Sequence, residues 1–221
     1  MKRIILGLLW TATVATAQTL TTTSYTNSPG VLLPDNNPSG YASAFDVTGL
    51  SGAITNIQVT LDITGGFNGD LYAYLAGPSG QFSVLLNRVG VSGTSAYGYS
   101  DAGFNITLAT SGTQGDVHTY QLSSPTFVSG QLTGTWSADG RNVDPLATGS
   151  LIGGTSATLG LGNLIGTDPD GVWTFFIADL SPGDQSTIQS VILNIMTVPE
   201  PQTWAMLGGG LAVLWLARRR K

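Results

Sequence analysis

The sequence predicts an all-β fold, a sandwich of two sheets, for the interior of this chain of 221 residues. Apolar residues alternate with polar ones along residues 57–63 and again along 82–86, as in strands with one buried face. Turns rich in Gly, Pro and Asn separate such segments at the spacing typical of sandwiches. Glu and Lys, the usual helix formers of exposed surfaces, are absent between residues 18 and 198. The composition therefore favours strands and turns over helices.

The first 17 residues have the pattern of an export signal. Met1-Lys2-Arg3 is a charged start, residues 4–10 are apolar, and Ala15-Thr16-Ala17 offers a small-x-small cleavage site. This succession is typical of a secretory signal peptide, which is removed and takes no part in the fold. We therefore expect export by the Sec pathway and cleavage between Ala17 and Gln18.

Residues 18–45 and 46–197 divide the exported part into a leader and a β-sandwich domain. The leader is rich in Thr, Asn and Pro, and we expect one edge strand in it near residues 31–33. Residues 90–103 and 137–166 are predicted to be loops, whereas the apolar run 171–179 predicts a strand buried on both faces. The pattern predicts the remaining strands at residues 57–63, 71–75, 82–86, 104–108, 117–122 and 188–196.

Two groups of motifs in this domain resemble the P domain, which follows the catalytic domain in subtilisin-like proprotein convertases. The first group is Gly69-Asp70-Leu71 and the turn Gly77-Pro78-Ser79-Gly80; the second is Gly171-Val172-Trp173, Asp179 and Gly183-Asp184. Gly65-Gly66-Phe67, Ser186 and Val191 depart from that family's pattern. The resemblance extends from residue 57 to residue 195 and implies a jelly-roll-like sandwich.

Residues 198–221 combine a proline hinge, an apolar run and a cluster of cations. Pro199, Glu200 and Pro201 precede the run, which extends from residue 204 to residue 217 without a charge and predicts a short C-terminal hydrophobic helix. A helix needs about 20 apolar residues to cross a bilayer, so this transmembrane helix would be a short or transient span. The cations at 218–221 would stay in the cytoplasm, with the domain on the other side of the membrane.

These three features in this order resemble the PEP-CTERM sorting signal of Gram-negative bacteria. The resemblance implies that an exosortase, a membrane-embedded cysteine transpeptidase, cleaves the chain at the motif Pro199-Glu200-Pro201. The chain would pass transiently through the cytoplasmic membrane and end in the cell envelope, on the outer surface or in the extracellular matrix. A chance Pro-Glu-Pro before a tail anchor is the alternative interpretation.

The exported part is strongly acidic and contains no cysteine. Arg88 and Arg141 are the only cations between residues 18 and 198, against twelve Asp, which gives a net charge of −10. Nucleic acid is excluded as a partner because phosphate binding needs a basic face. Zinc is disfavoured by one His and no Cys, and without disulfides the domain depends on its core, on a metal, or on both.

Calcium is the one cofactor that the residues suggest. Hard oxygen ligands on loops suit Ca²⁺, and extracellular sites function with weak affinity. Asp also caps turns through its side chain, and twelve Asp without a Glu in the domain favour that alternative. The candidate ligands lie at strand ends and in turns: Asp70, Asp101, Asp168, Asp170, Asp179 and Asp184.

The sequence contains little that could carry catalysis. His118, the only histidine, is predicted to lie on a strand, as a surface residue, and the chain has no Gly-x-Ser-x-Gly nucleophile motif. Tyr97, Tyr99 and Phe104 near Asp101 could stack on sugars or pack on their own core. We therefore expect a non-enzymatic cell-surface or matrix protein, with a calcium-dependent carbohydrate-binding module acting on exopolysaccharide as the alternative. A hydrolase would require two convergent carboxylates in a pocket.

Overall fold

The computed structural model of the chain describes residues 20–198, together with Gly210, Trp215 and residues 217–219. Residues 20–198 form two β-sheets packed as a jelly-roll-like sandwich, so the predicted fold class is confirmed. The strands are β1 (Thr21–Asn27), β2 (Val31–Leu32), β3 (Asn37–Val47), β4 (Ile54–Gly65), β5 (Leu71–Ala76), β6 (Phe82–Asn87), β7 (Phe104–Ala109), β8 (Thr126–Val128), β9 (Gln131–Ser137), β10 (Gly171–Asp179) and β11 (Ser186–Thr197). A short helix, α1 (Gly149–Gly154), and three 3₁₀ turns, Asn68–Asp70, Val117–Ser123 and Leu161–Leu164, connect them.

The strands are shared unequally between the two sheets. The seven-stranded sheet has the order β1-β11-β4-β7-β9-β8, with β2 pairing to β11, and the four-stranded sheet has the order β3-β10-β5-β6. All the strand pairs are antiparallel except β7 with β9. The long strands β4 and β11 lie side by side from Gly65↔Ser186 to Ile54↔Thr197. This pair therefore forms the middle of the larger sheet.

The core lies between the sheets and is built from the alternating residues of each strand. On β4, Val59, Leu61 and Ile63 are fully buried, and the polar residues between them are not. On β10, Trp173 and Phe175 fill the same core cluster from the opposite sheet. Each such side chain contributes roughly 1.5–3 kcal/mol on full burial, so the core can stabilise a chain without disulfides.

Strand β10 is not buried on both faces, contrary to the prediction. Trp173, Phe175 and Ile177 are buried, whereas Val172 is exposed and Phe176 is only half-buried. The outer face of the four-stranded sheet is turned to solvent, so β10 alternates like its neighbours. The consecutive apolar residues 175–178 concealed this alternation, since Phe176 packs on a neighbouring ring of the outer face.

Two further stretches differ from the prediction. Residues 21–45, expected to be a leader with one edge strand, supply β1, β2 and most of β3, which join both sheets. Pro38 is accommodated because β3 is an edge strand. The predicted strand at 117–122 is instead a 3₁₀ turn, since the Asp116 side chain accepts a hydrogen bond from the His118 backbone N–H (2.9 Å) and caps it.

Candidate functional site

The structure brings two of the six candidate calcium ligands together, Asp70 and Asp179. Asp70 ends the 3₁₀ turn before β5, and Asp179 ends β10, the strand paired with β5. The Leu180 N–H donates to the carbonyl oxygen of Asp70 (2.9 Å), which fixes the two strand ends against each other. Both carboxylates lie below the surface, with Asp70 3% and Asp179 0% exposed.

Burial makes ionisation of both carboxyl groups unfavourable. Desolvation and the negative charge of Asp179 raise the pKa of Asp70 to about 6. The pKa of Asp179 is likewise raised by its burial, and one of its oxygens, Oδ2, has no hydrogen-bond partner. The charge of Asp35 raises both pKa values further, while Arg88 and hydrogen bonds involving Ser181 act in the opposite direction.

Arg88 holds the backbone around this pair rather than neutralising it directly. Its guanidinium donates to the Ser181 hydroxyl oxygen (2.6 Å) and to the carbonyl oxygens of Gly69 (3.3 Å) and Ala96 (3.5 Å). Three segments that are distant in sequence therefore meet at one buried side chain. Its being one of only two cations between residues 18 and 198, in a strongly acidic domain, is the sequence signal that could have identified it.

The other four candidate ligands lie apart from the pair, and each accepts a hydrogen bond from the protein. The Asp101 carboxylate accepts from the Tyr120 hydroxyl (2.8 Å), and Asp170 accepts from the backbone N–H groups at residues 49 and 50 (2.9 and 3.0 Å). Asp168 and Asp184 accept from nearby backbone N–H groups. Within the part of the chain that the structure describes, no three acidic or His side chains are grouped to hold a metal. The calcium set stays a prediction.

Sequence reasoning missed a second buried polar cluster, around His118. This side chain is 2% exposed, not on the surface as expected, and its Nδ1 lies 2.8 Å from an oxygen of Asp139. Its Nε2 lies 3.1 Å from the Val91 carbonyl oxygen, so both ring nitrogens face acceptors. Arg141 continues the network as an ion pair with Asp139 (3.2 Å) and with Asp116 (2.9 Å). Both imidazole nitrogens thus lie within hydrogen-bond distance of an oxygen of the fold, which suits a structural role.

The three aromatic residues proposed for sugar stacking are not equivalent. Phe104 is buried in the core, so it is not available to a ligand, and Tyr99 packs edge-on against Tyr120 (4.6 Å between ring centroids). Tyr97 is 73% exposed. A cavity of about 170 Å³ opens beside it, lined by Phe67, Asp70, Tyr97, Gly98, Tyr99, Ser100 and Pro182.

A second aromatic group lies on the outer face of the four-stranded sheet. The Tyr74 ring stacks on Phe176 of β10 (5.0 Å between centroids) and lies 4.9 Å from the Phe82 ring of β6. Tyr72 extends the row at 6.1 Å from Tyr74. All four rings are half-buried, so each keeps part of its surface open to solvent.

The two predicted processing sites, Ala17–Gln18 and Pro199-Glu200-Pro201, lie outside the described residues. Strand β11 ends at Thr197, one residue before the described part of the domain stops at Val198. Among the described residues, no helix is long and apolar enough to cross a membrane. The apolar run 204–217 is described only at Gly210, Trp215 and Ala217.

Two family models match this chain. The PEP-CTERM protein-sorting motif matches residues 197–221, and the proprotein convertase P-domain matches residues 54–153. Both predicted resemblances are therefore confirmed. The P-domain match includes Gly69-Asp70-Leu71 and the turn at 77–80 but ends before the second motif group at 171–184. No curated protein matches the chain.

The solved structures that the chain matches include the serine protease of Aeromonas sobria, crystallised alone and in complex with the chaperone ORF2. The identity is 14% for the complex and 12% for the protease alone, each with a TM-score of 0.41. The matches cover 81% and 82% of this chain but only 27% and 28% of those chains. The chain thus spans little more than a quarter of their length, and nothing about its activity follows from the likeness.

Proposed function

We propose that this chain, which carries a PEP-CTERM motif behind a P-domain-like sandwich, is a non-enzymatic protein of the cell surface or extracellular matrix. The match of residues 197–221 to the sorting motif carries the proposal, since that motif indicates an exported protein sorted to the envelope. An exosortase-type transpeptidase would remove the tail at Pro199-Glu200-Pro201. Sec export and transient insertion in the inner membrane of a Gram-negative cell complete the proposal.

The junction between fold and motif supports cleavage at this position. The last buried apolar residue of β11 is Ile195, and the strand ends at Thr197. The motif follows after Val198, so a cut there removes no residue of the core. A protease can reach such a site without unfolding the sandwich.

Intact-mass spectrometry of the protein recovered from the cell surface tests this proposal. We expect a chain that begins near Gln18 and lacks residues 204–221. Replacing Pro199, Glu200 and Pro201 together by Ala should leave the tail attached, whereas Gln202→Ala, just outside the motif, should be processed normally. A surface protein that still carries residues 204–221 would contradict the sorting mechanism.

A non-enzymatic role is supported by the way the titratable groups are used. His118 is held by Asp139 and the Val91 carbonyl, so its imidazole is not free to serve as a general base. Asp70 and Asp179 share one site, but the cavity beside them is small for a saccharide cleft, at about 170 Å³. A structural or adhesive role fits these features best.

Binding of the exopolysaccharide is the second candidate, favoured by the aromatic row on the four-stranded sheet. Tyr74, Phe176 and Phe82 present adjacent rings on one open face, as stacking of successive sugar units would require. Affinity electrophoresis in gels containing the polysaccharide, with Ca²⁺ or with EGTA, measures both the binding and its proposed calcium dependence. Retardation should be lost in Tyr74→Ala and kept in Val172→Ala, an exposed apolar control on the same face of the four-stranded sheet.

A further inference from the structure

The carboxylates of Asp70 and Asp179 have the charge of Arg88 near them but form no direct ion pair in the described residues. In residues 20–198, the ion pairs within 4 Å all involve His118 or Arg141, and none includes Asp70 or Asp179. The Arg88 guanidinium, the nearest cation, spends its hydrogen bonds on neutral oxygens. Two buried carboxylates with one guanidinium near them leave an excess of negative charge, which favours a bound proton or a cation from outside.

The cavity beside Asp70 favours an organic cation over a metal ion. Calcium takes six to eight oxygen ligands, whereas this lining consists mainly of the rings of Phe67, Tyr97, Tyr99 and Pro182. Aromatic faces attract ammonium groups through the ring quadrupole, most strongly where water is excluded. An acidic residue and three aromatic residues in the lining of one cavity together match a cation that carries alkyl groups.

The walls of this cavity are fixed by contacts that exist without a ligand. On one side, the Gly69 N–H donates to the Tyr99 carbonyl oxygen (2.8 Å), which anchors the loop that carries Tyr97. On the other side, Asp35 accepts a hydrogen bond from the Gly183 N–H (3.1 Å). A Cβ placed on Gly183 would lie 3.0 Å from the Phe67 ring, so this backbone packs directly against that wall. Such preorganisation lowers the entropy cost of binding.

We propose that this pocket binds a small organic ammonium group, with its charge against Asp70 and its alkyl groups against the rings of Phe67, Tyr97 and Tyr99. The volume of about 170 Å³ suits a compact head group rather than a polymer chain. The site is separate from the sorting motif and from the aromatic row on the four-stranded sheet. Ammonium binding at this site can therefore be tested independently of the proposed function.

Calorimetric titration of the full-length protein with tetramethylammonium chloride, against NaCl at equal ionic strength, tests the proposal. Asp70→Asn should weaken binding at least about tenfold, and Tyr97→Ala about two- to fivefold, while Tyr97→Phe keeps the ring and the affinity. Asp46→Asn, which removes the same charge from an exposed position, should bind like the parent. The neutral tert-butanol, of similar shape, should not bind.

Four results would overturn the proposal: no heat from tetramethylammonium, equal binding by tert-butanol, binding unchanged in Asp70→Asn, or displacement of the ammonium ion by micromolar Ca²⁺. If the ammonium ion binds as expected, competition identifies its source. Displacement by Nα-acetyl-lysinamide assigns the pocket to a lysine side chain, and displacement by glucosamine assigns it to an amino sugar.

Discussion

At the level of single residues, the domain contains two buried charged clusters that are balanced differently. Around Arg141, two carboxylates face a guanidinium and an imidazole at 2.8–3.2 Å. At Asp70 and Asp179, two buried carboxylates lie close enough for the charge of Asp179 to raise the pKa of Asp70, and the Arg88 guanidinium donates its hydrogen bonds to neutral oxygens. This second arrangement penalises ionisation of Asp70 and Asp179.

Replacing Asp70 by Asn should stabilise the protein at neutral pH. The pKa of Asp70 is raised from 3.8 to about 6 in the folded state, so the folded protein binds more protons than the unfolded chain between these values. The free energy of unfolding therefore falls as the pH rises from about 4 to about 6. Asp70→Asn should remove this loss. It should raise the free energy of unfolding by about 1–2 kcal/mol at about pH 7.5 and leave it unchanged at about pH 4.

Urea denaturation at the two pH values measures this effect. Asp46→Asn removes an equal charge from an exposed position, so it separates the local penalty from the general relief of the acidic domain's self-repulsion. Equal gains for the two variants at neutral pH would show that Asp70 carries no special penalty.

At single residues, motifs in the sequence selected two side chains that the fold brings together, whereas the prediction was wrong for a residue whose partners come from distant segments. Gly69-Asp70-Leu71 and Asp179 were selected as parts of a family pattern, and the fold does bring Asp70 and Asp179 together. The position of Arg88 against Ser181 depends on how two strand ends meet, which no local pattern encodes. His118 was misplaced because its Asp116 cap and its Asp139 partner both act through the fold.

At the level of elements, the strands with regular alternation were predictable. β4, β5, β7 and β11 lie close to the predicted segments, because one face of each is more deeply buried than the other. β6 also lies close to its predicted segment, although residues 83–87 are all buried. β1 was missed because Thr, Ser and Asn dominate it, and β3 because it begins with Asn37-Pro38-Ser39-Gly40, compositions shared with loops. These strands form through pairing with β11 and β10, so their structure is a tertiary effect.

Replacing Gly40 in β3 tests the pairing of β3 with β10. It has a φ of +51° and lies beside the irregular register of β10 between Ile177 and Asp179. A Cβ at this position would overlap the Ile177 carbonyl oxygen and lie 2.9 Å from the Ala178 Cβ. We expect Gly40→Ala to cost about 3–4 kcal/mol of unfolding free energy, from backbone strain and from overpacking together.

Gly30→Ala is the matched control for this change. Gly30 also has a positive φ, +59°, but a Cβ there meets nothing within 4 Å. The Gly30→Ala change should therefore lower the free energy of unfolding through backbone strain alone, by about 1–2 kcal/mol. Urea midpoints of the two variants measure the difference, and equal losses would mean that the β3–β10 contact is looser than described.

At the level of the whole molecule, both ends of the sandwich lie at the same pole. β1 runs antiparallel to β11, and Thr21 is paired with Thr197. The segment before β1 and the segment after β11 therefore leave the domain side by side. With one predicted to be a signal peptide and the other matched as a sorting motif, this geometry would direct both toward one membrane surface and hold the rest of the domain away from it.

Because β11 completes the core before the motif begins, residues 18–198 should fold without either terminal segment. Their urea midpoint should equal that of the full-length chain in the same detergent. Ending the chain at residue 190 instead removes Val191, Leu193 and Ile195, all at most 1% exposed, and breaks most pairs of β11 with β1 and β4. That loss exceeds the 5–15 kcal/mol stability of a typical domain, so the shorter chain should show no cooperative transition by circular dichroism. If the 18–198 chain were unfolded, the sorting segment would be part of the fold. Cleavage at the motif could then not leave an intact domain.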